Sequence, residues 1–223
     1  IQRRVGMSDK QESVPAITLI SNGPYRVTNL TTLKGFYGAQ THSMPSAAKL
    51  CRCGGSKNKP FCDGSHRFNG FSDAKDPDRA SDNRDDYMAD TITIHDNRGI
   101  CAYAGRCTDG LKKVFRLNQE PWIHASAAPA EQIVDIIDSC PSGALSYSID
   151  GIEYRDGAEG SVVGYVPNGP YIVRSGGAEL KGVEQAEGAS TKRFALCRCG
   201  QSANKPFCSG AHEHLRFDED AEN

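Results

Sequence analysis

An α+β, β-rich fold is predicted for this chain of 223 residues. Two small β-modules are expected to pair about an internal pseudo-two-fold axis, with a separate α+β unit between them. Three observations predict this. First, a block of sequence returns at a constant offset of 146 positions: Asn22-Gly23-Pro24-Tyr25 recurs as Asn168-Gly169-Pro170-Tyr171, and Cys51, Cys53, Cys62 and His66 recur as Cys197, Cys199, Cys208 and His212. Second, the segments around those blocks alternate apolar and polar residues and are punctuated by Gly and Pro, which is the pattern of short strands and turns. Third, the clearest helical spacing, PAEQIVDIIDS (129–139), lies outside both copies.

The elements follow in order. Residues 1–15 read as an N-terminal tail, and IQRRVG before Met7 is set aside from the fold reasoning. The first module, 16–71, opens with the apolar AITLIS and an alternating strand, PYRVTNL. A Gly-containing stretch follows, then a short strand, AAKL, running into Cys51. The cysteine unit itself is loop, broken by Gly and Pro, and its last part from Asp63 can open a short helix. Residues 72–90, SDAKDPDRASDNRDDYMAD, are charged and poor in apolar residues and read as a linker. The middle unit, 91–158, begins with an alternating strand, TITIH, and continues through CAYAGRC and VFRLNQEPWI to the helix. Pro129 sits near the first turn of that helix, and Ile133, Val134, Ile136 and Ile137 lie toward one side. The helix ends at Cys140-Pro141. LSYSI and IEY are then joined by Asp150-Gly151, a pair suited to a two-residue hairpin turn. The second module, 159–216, repeats the first with VVGYVP, PYIVRSG and FAL, and 217–223 reads as an acidic tail. A unit this small buries little core by itself, so the copies are expected to pair within a monomer.

Composition narrows the function. The formal net charge of −2 argues against binding nucleic acid through phosphate contacts. No apolar run reaches the length of a membrane span, and no apolar export segment is visible, so a cytoplasmic protein is expected. No G-x-G-x-x-G stands between a strand and a helix, and no Ser–His–Asp or paired-carboxylate arrangement stands out. An enzyme is therefore not expected, and any redox partner protein or apo-acceptor must be external. The nine cysteines are an odd number, and they cluster, which in the absence of export signals points to metal rather than disulfides. They fall into three groups: Cys51, Cys53, Cys62; Cys101, Cys107, Cys140; and Cys197, Cys199, Cys208.

Both copies space their donors as C-x-C-x8-C-x3-H. Thiolate and imidazole suit borderline and soft metals, either zinc or an iron–sulfur cluster. CRCGGSKNKPFCDGSH (51–66) resembles the CDGSH iron–sulfur family, whose signature it matches at Cys51, Cys53, Ser56, Pro60, Cys62, Asp63, Gly64, Ser65 and His66. The second copy matches at Cys197, Cys199, Ser202, Pro206, Cys208, Gly210, Ala211 and His212, and departs at Ser209. The resemblance implies one [2Fe-2S] cluster per module, held by three thiolates and one histidine, with His66 and His212 on the outer iron. Around them, Pro60 and Pro206 are expected to fix a turn, and Gly64 and Gly210 to permit a close backbone turn. Ser56 and Ser202 are expected either to donate to a sulfide or to cap the loop. Asp63 has two readings, a charge that lowers the potential of its cluster or a local cap. Arg52 and Arg198 are expected at the surface or facing a partner rather than ligating. Because imidazole must be unprotonated to bind iron, acid is expected to compete at His66 and His212, which cluster absorbance followed against pH would test.

In the middle unit, Cys101, Cys107 and the Cys140-Pro141 pair fit the frame of a bacterial ferredoxin, C-x2-C-x2-C with a remote Cys-Pro, and Ala104 stands in the second position. The unit resembles the divergent mono-cluster ferredoxin family, including EPWI (120–123) and CPSGAL (140–145). Three thiolates suit a [3Fe-4S] cluster; a [4Fe-4S] cluster with a non-cysteine fourth ligand is the alternative. His95 and His124 lie outside this loop and are not expected to ligate, and Trp122 is expected in the core. One-electron transfer is the predicted role. The alternatives are cluster storage or transfer, redox or pH sensing, and, less favoured, structural zinc binding.

Overall fold

The computed structural model describes residues 14–157, 160–174 and 176–220. Residues 1–13 of the expected N-terminal tail and 221–223 of the acidic tail lie outside them. The first copy contributes β1 (Ala16–Leu19), β2 (Tyr25–Thr28), β3 (Thr32–Gly35), β4 (His42–Ser43) and β5 (Ala47–Leu50). The middle unit contributes β6 (Arg84–Met88), β7 (Thr93–Asn97), α1 (Arg106–Gly110), α2 (Ala130–Asp138), β8 (Leu145–Ile149) and β9 (Ile152–Tyr154). The second copy contributes β10 (Val162–Tyr165), β11 (Tyr171–Arg174), β12 (Glu179–Lys181), β13 (Phe194–Leu196) and α3 (Ala211–His214). The fold is β-rich α+β.

The two copies exchange strands. One sheet runs β12-β1-β2-β5 and the other β13-β11-β10-β3-β4. Strand β12 of the second copy pairs in parallel with β1, placing Ile17 opposite Leu180, and β3 of the first copy pairs in parallel with β10, placing Tyr165 opposite Gly35. The offset of 146 makes β3 and β12 equivalents, so the exchange is reciprocal. Strand alternation supplies the apolar face: Tyr25 and Val27 of β2 point inward while Arg26 points out. Ile17, Tyr25, Val27 and Leu33 of the first copy then share one core with Val163, Tyr171, Val173 and Leu196 of the second. Neither sheet is complete without a strand from the other copy.

The middle unit has its own core and a sheet in the order β6-β7-β8-β9. Ile133 and Ile137 of α2, four apart on one face, pack with Ile94, Val114, Phe115 and Leu145. Asp150 and Gly151 both take positive φ, 51° and 75°, and turn β8 into β9 with Ile149 opposite Ile152. The stretch 72–90 is not a free linker. Arg84–Met88 forms β6, an edge strand paired with β7, and the Asp76 N–H donates to the Ala203 carbonyl at 2.8 Å. Its exposed side chains hid the strand, because an edge strand with one solvated face needs few apolar residues.

Candidate metal centres

The two CRC loops lie back to back on the pseudo-dyad. Gly54 (φ +77°) faces the Cys199 carbonyl so closely that a Cβ there would overlap it, and a Cβ on Gly200 (φ +82°) would sit 2.6 Å from the Cys53 carbonyl. The tyrosines of the two Asn-Gly-Pro-Tyr blocks cross the same axis. Tyr25 Oη donates toward the Cys197 and Pro206 carbonyls at 2.9 and 3.0 Å, and Tyr171 Oη toward those of Cys51 and Pro60 at 2.8 and 3.0 Å. Each copy's cysteine loop is therefore braced by the other copy's strand.

Arg52 and Arg198 are not at the surface; they are 2% and 1% exposed. Arg52 donates to the carbonyls of Gly23 (2.5 Å) and Ile20 (2.7 Å) and to Asp73 (2.8 Å), and it lies over the rings of Tyr25 and Phe71. Arg198 repeats this with Gly169, Val166, Glu219, Tyr171 and Phe217, and adds the ring of Tyr165. A buried guanidinium is tolerated because carbonyls, a carboxylate and ring faces replace its water. These contacts tie each cysteine loop to its Asn-Gly-Pro-Tyr turn. They also anchor Phe217 and Glu219, so this part of the acidic tail is docked onto the second copy.

The four candidate donors of each copy form two pairs. Cys51 Sγ lies 3.7 Å from Cys53 Sγ, and Cys62 Sγ lies 3.6 Å from His66 Nδ1. In the second copy the distances are 3.8 Å for Cys197–Cys199 and 3.5 Å for Cys208–His212. Among the described residues, no three His, Cys, Asp or Glu converge on a single-ion position. Two donor pairs suit two adjacent metals better than one tetrahedral ion. The electrostatics fit a cationic guest. The hydrogen bond between the first two thiols pushes Cys51 up and Cys53 down, to about 6, and does the same in direction for Cys197 and Cys199. Burial and then Cys197 push Cys208 up to about 12, and burial lowers His212. Without a metal most of these thiols stay protonated at neutral pH, and a bound cation would let them all serve as thiolates.

The surrounding residues shape the loops. Ser56 Oγ donates to the Phe61 carbonyl at 2.6 Å and accepts from Asn58 N–H at 3.1 Å; Ser202 does the same with Phe207 and Asn204. Both hydroxyls are thus committed to the loop backbone. The carbonyls of Pro60 and Pro206 accept the Cys51 and Cys197 N–H groups at 2.8 Å. Gly64 and Gly210 take φ of +96° and +75° ahead of the turns that carry the histidines. Asp63 accepts the Lys57 N–H at 2.8 Å, the Ser65 N–H at 3.0 Å and the Ser65 hydroxyl at 2.6 Å. These contacts, led by the hydroxyl, hold its carboxyl well below the usual carboxylate range. Ser209 accepts the equivalent Ala203 N–H at 3.2 Å. The two residues cap the same loop with different oxygens.

The three remaining cysteines line one cavity of about 190 Å³ in the middle unit. Cys101 follows a short 3₁₀ turn, Cys107 lies on α1, and Cys140 follows α2, where its N–H donates to the Ile137 carbonyl at 3.0 Å. Burial and then Cys140 push Cys101 up to about 12 and raise Cys107. Arg98 opposes that shift: Nη1 lies 3.7 Å from Cys101 Sγ, while Nε pairs with Asp96 at 3.0 Å. Its guanidinium lies 3.5 Å from the centre of the Trp122 ring. Trp122 is therefore half-buried, packed against the unit's core beside Phe115 and forming a wall of the cavity. Ala104 lines the cavity and supplies no donor. His95 is occupied by Asp86 at 2.6 Å and Ser148 at 2.7 Å, and His124 is exposed. Asp96 and Arg98 matched no ligand motif in the sequence although they stand five and three residues before Cys101; the 3₁₀ turn of residues 98–100 sets Arg98 against both Asp96 and Cys101.

A family profile described as "Iron-binding zinc finger CDGSH type" matches residues 22–67 and 168–213, and one described as "Divergent 4Fe-4S mono-cluster" matches residues 87–150. Among curated proteins, "Uncharacterized protein YjdI" of Escherichia coli K12 is 39% identical over 61 residues, 27% of this chain and 80% of that protein. The protein of the same name from Escherichia coli O157:H7 matches to the same extent. No solved structure matches the chain significantly.

Proposed function

The chain belongs to the CDGSH-type iron-binding proteins, with a divergent mono-cluster unit between its two CDGSH repeats, and from this iron–sulfur identity we propose that it is a one-electron carrier with three clusters. In this reading Cys51, Cys53, Cys62 and His66 hold one [2Fe-2S] cluster, and Cys197, Cys199, Cys208 and His212 hold the second. Cys101, Cys107 and Cys140 hold a third cluster of three or four irons. The observation that carries the reading is the doubled arrangement of two donor pairs, with separations of 3.7 and 3.6 Å in one copy and 3.8 and 3.5 Å in the other. Clusters of these types, when bound, take up and release one electron without making or breaking bonds to a substrate.

The chain's own groups serve that task by holding the donors still and adjusting charge. Tyr25, Tyr171, Arg52 and Arg198 fix the loops, and little rearrangement of the loops is then needed when charge arrives. Arg98 sets a positive charge beside Cys101, and Asp96 and Trp122 hold it in place. Cluster transfer is the second reading, favoured by Cys62 and His66, both of which are partly exposed.

The test is anaerobic purification with iron and sulfide analysis and EPR of the oxidised protein. About seven irons with a signal near one spin per chain supports a three-iron centre, and about eight irons with EPR silence a four-iron centre. Zinc without sulfide ends the reading. Fast delivery of clusters to an apo-acceptor with slow electron exchange would place transfer first.

A further inference from the structure

The two CDGSH copies have diverged at their outer pairs, and the divergence is directional. Gly64 has nothing within 4 Å of a Cβ built on it, whereas the same atom on Gly210 would lie 2.8 Å from Tyr103 Cβ and 3.3 Å from the Ala102 carbonyl. Cys62 is half-buried, and Cys208 is 2% exposed, packed with Ala102, Ile172 and Ala195. Asn58 is exposed, while Asn204 is buried and donates to the Gly99 carbonyl at 2.6 Å. Among the described residues, the middle unit thus covers the outer face of the second copy and leaves that of the first uncovered.

Charge follows the same division. The first copy places Lys49, Lys57 and Arg67, all exposed, around Cys62 and His66. The equivalent positions of the second copy are Ala195, Ala203 and Glu213. Allowing for Asp63 and its counterpart Ser209, these four positions carry a net charge of +2 in the first copy and −1 in the second. Phe68, next to Arg67, is 90% exposed, where the second copy has His214. At positions 49, 57 and 67 the first copy is thus basic; the second copy, which meets the chain's own middle unit, is not basic at the equivalents 195, 203 and 213.

We propose that the outer face of the first copy, framed by Lys49, Lys57, Arg67 and Phe68, is the port at which an acidic redox protein docks, while the outer pair of the second copy is turned inward to the middle centre. Opposite charge steers such a partner and raises its encounter rate, and the apolar Phe68 gives the contact a dry anchor. The inference rests on the electron-carrier reading. At the port one electron leaves the reduced protein for its acceptor; no proton moves and no bond is made or broken.

A small anionic acceptor stands in for the partner. The whole protein is reduced anaerobically with dithionite, desalted, and mixed at low ionic strength with hexacyanoferrate(III), which takes one electron to become hexacyanoferrate(II). Recovery of visible absorbance is followed. Reversal of charge in Lys49→Glu/Lys57→Glu/Arg67→Glu is expected to slow the fast phase roughly tenfold and to speed oxidation by the cationic hexaamminecobalt(III). The neutral variant Lys49→Gln/Lys57→Gln/Arg67→Gln is expected to fall between, and added salt should erase the differences. Lys181→Glu/Lys192→Glu, two exposed lysines that are not among the port residues, should leave the rates unchanged. Equal rates in the wild-type and port variants overturn the inference, as does slowing produced only by Arg106→Glu at the middle cavity. A purified protein without dithionite-bleachable colour fails the iron–sulfur reading instead, before any mixing.

Discussion

Asp63 and Ser209 show how one position in a repeat can change its chemistry and keep its task. Both accept the N–H six residues back, from Lys57 in one copy and Ala203 in the other. Asp63 adds contacts to Ser65 N–H and Oγ at 3.0 and 2.6 Å. Capping oxygens of this kind contribute about 1 kcal/mol. Asp63→Ser is accordingly expected to change the stability of the metal-loaded protein by less than about 0.5 kcal/mol, and Asp63→Ala to cost about 1 kcal/mol. Urea unfolding of both variants decides it. A loss in Asp63→Ser as large as in Asp63→Ala would mean that the carboxylate acts through its charge and not as a cap.

At the scale of elements, the same turn has opposite surroundings in the two copies. Alanine at Gly64 meets open space and bears only the strain of φ +96°, about 1 kcal/mol. Alanine at Gly210 bears similar strain at φ +75° and also collides with Tyr103. About 3 kcal/mol is expected there, because strain and overpacking act together. Equal losses in the two variants, compared by urea unfolding, would mean that the middle unit does not dock on the second copy.

The sheet of the middle unit carries an acid dependence of its own. Arg155, at 2.7 Å, and Arg84, at 2.9 Å, hold Glu153 below its ordinary value of 4.5. A carboxyl depressed in the folded state adds stability above pH 4.5, and that stability is lost as pH falls through the folded value. The difference in unfolding free energy between wild type and Glu153→Gln should therefore be constant above about pH 5 and shrink below pH 4.5. A difference that does not shrink on acidification would assign Glu153 a role other than its ion pairs.

For the whole molecule, what could be read from the sequence was what is local. The donor spacing, the α2 pattern and the Asp150-Gly151 hairpin each lie within one short window. Burial of Arg52 was not legible, because it depends on Asp73 and on carbonyls near residue 20. Yet a trace was present: Phe71 and Asp73 stand 146 positions before Phe217 and Glu219, so each repeat extends to the anchor of its arginine. The strand exchange left no local mark, since parallel pairing is set by the partner and not by the strand's own pattern. That exchange nevertheless makes a prediction of its own. Strand β3 is the equivalent of β12, and β1 needs such a strand at its edge. A fragment of residues 14–78, carrying the first copy with Asp73 and reconstituted with iron and sulfide, supplies one β3 and one Tyr25 per chain. Two fragments can exchange β3 strands and tyrosines as the two copies do here. The loaded fragment is therefore expected to sediment as a dimer and to lose its cluster on dilution to monomer. The replacement Tyr25→Phe, which removes contacts of 2.9 and 3.0 Å from each half, should weaken the dimer by about 1–3 kcal/mol. A stable, cluster-bearing monomer in the ultracentrifuge would show that one copy closes its own sheet, and that the exchange is a consequence of linkage in one chain rather than a requirement of the fold.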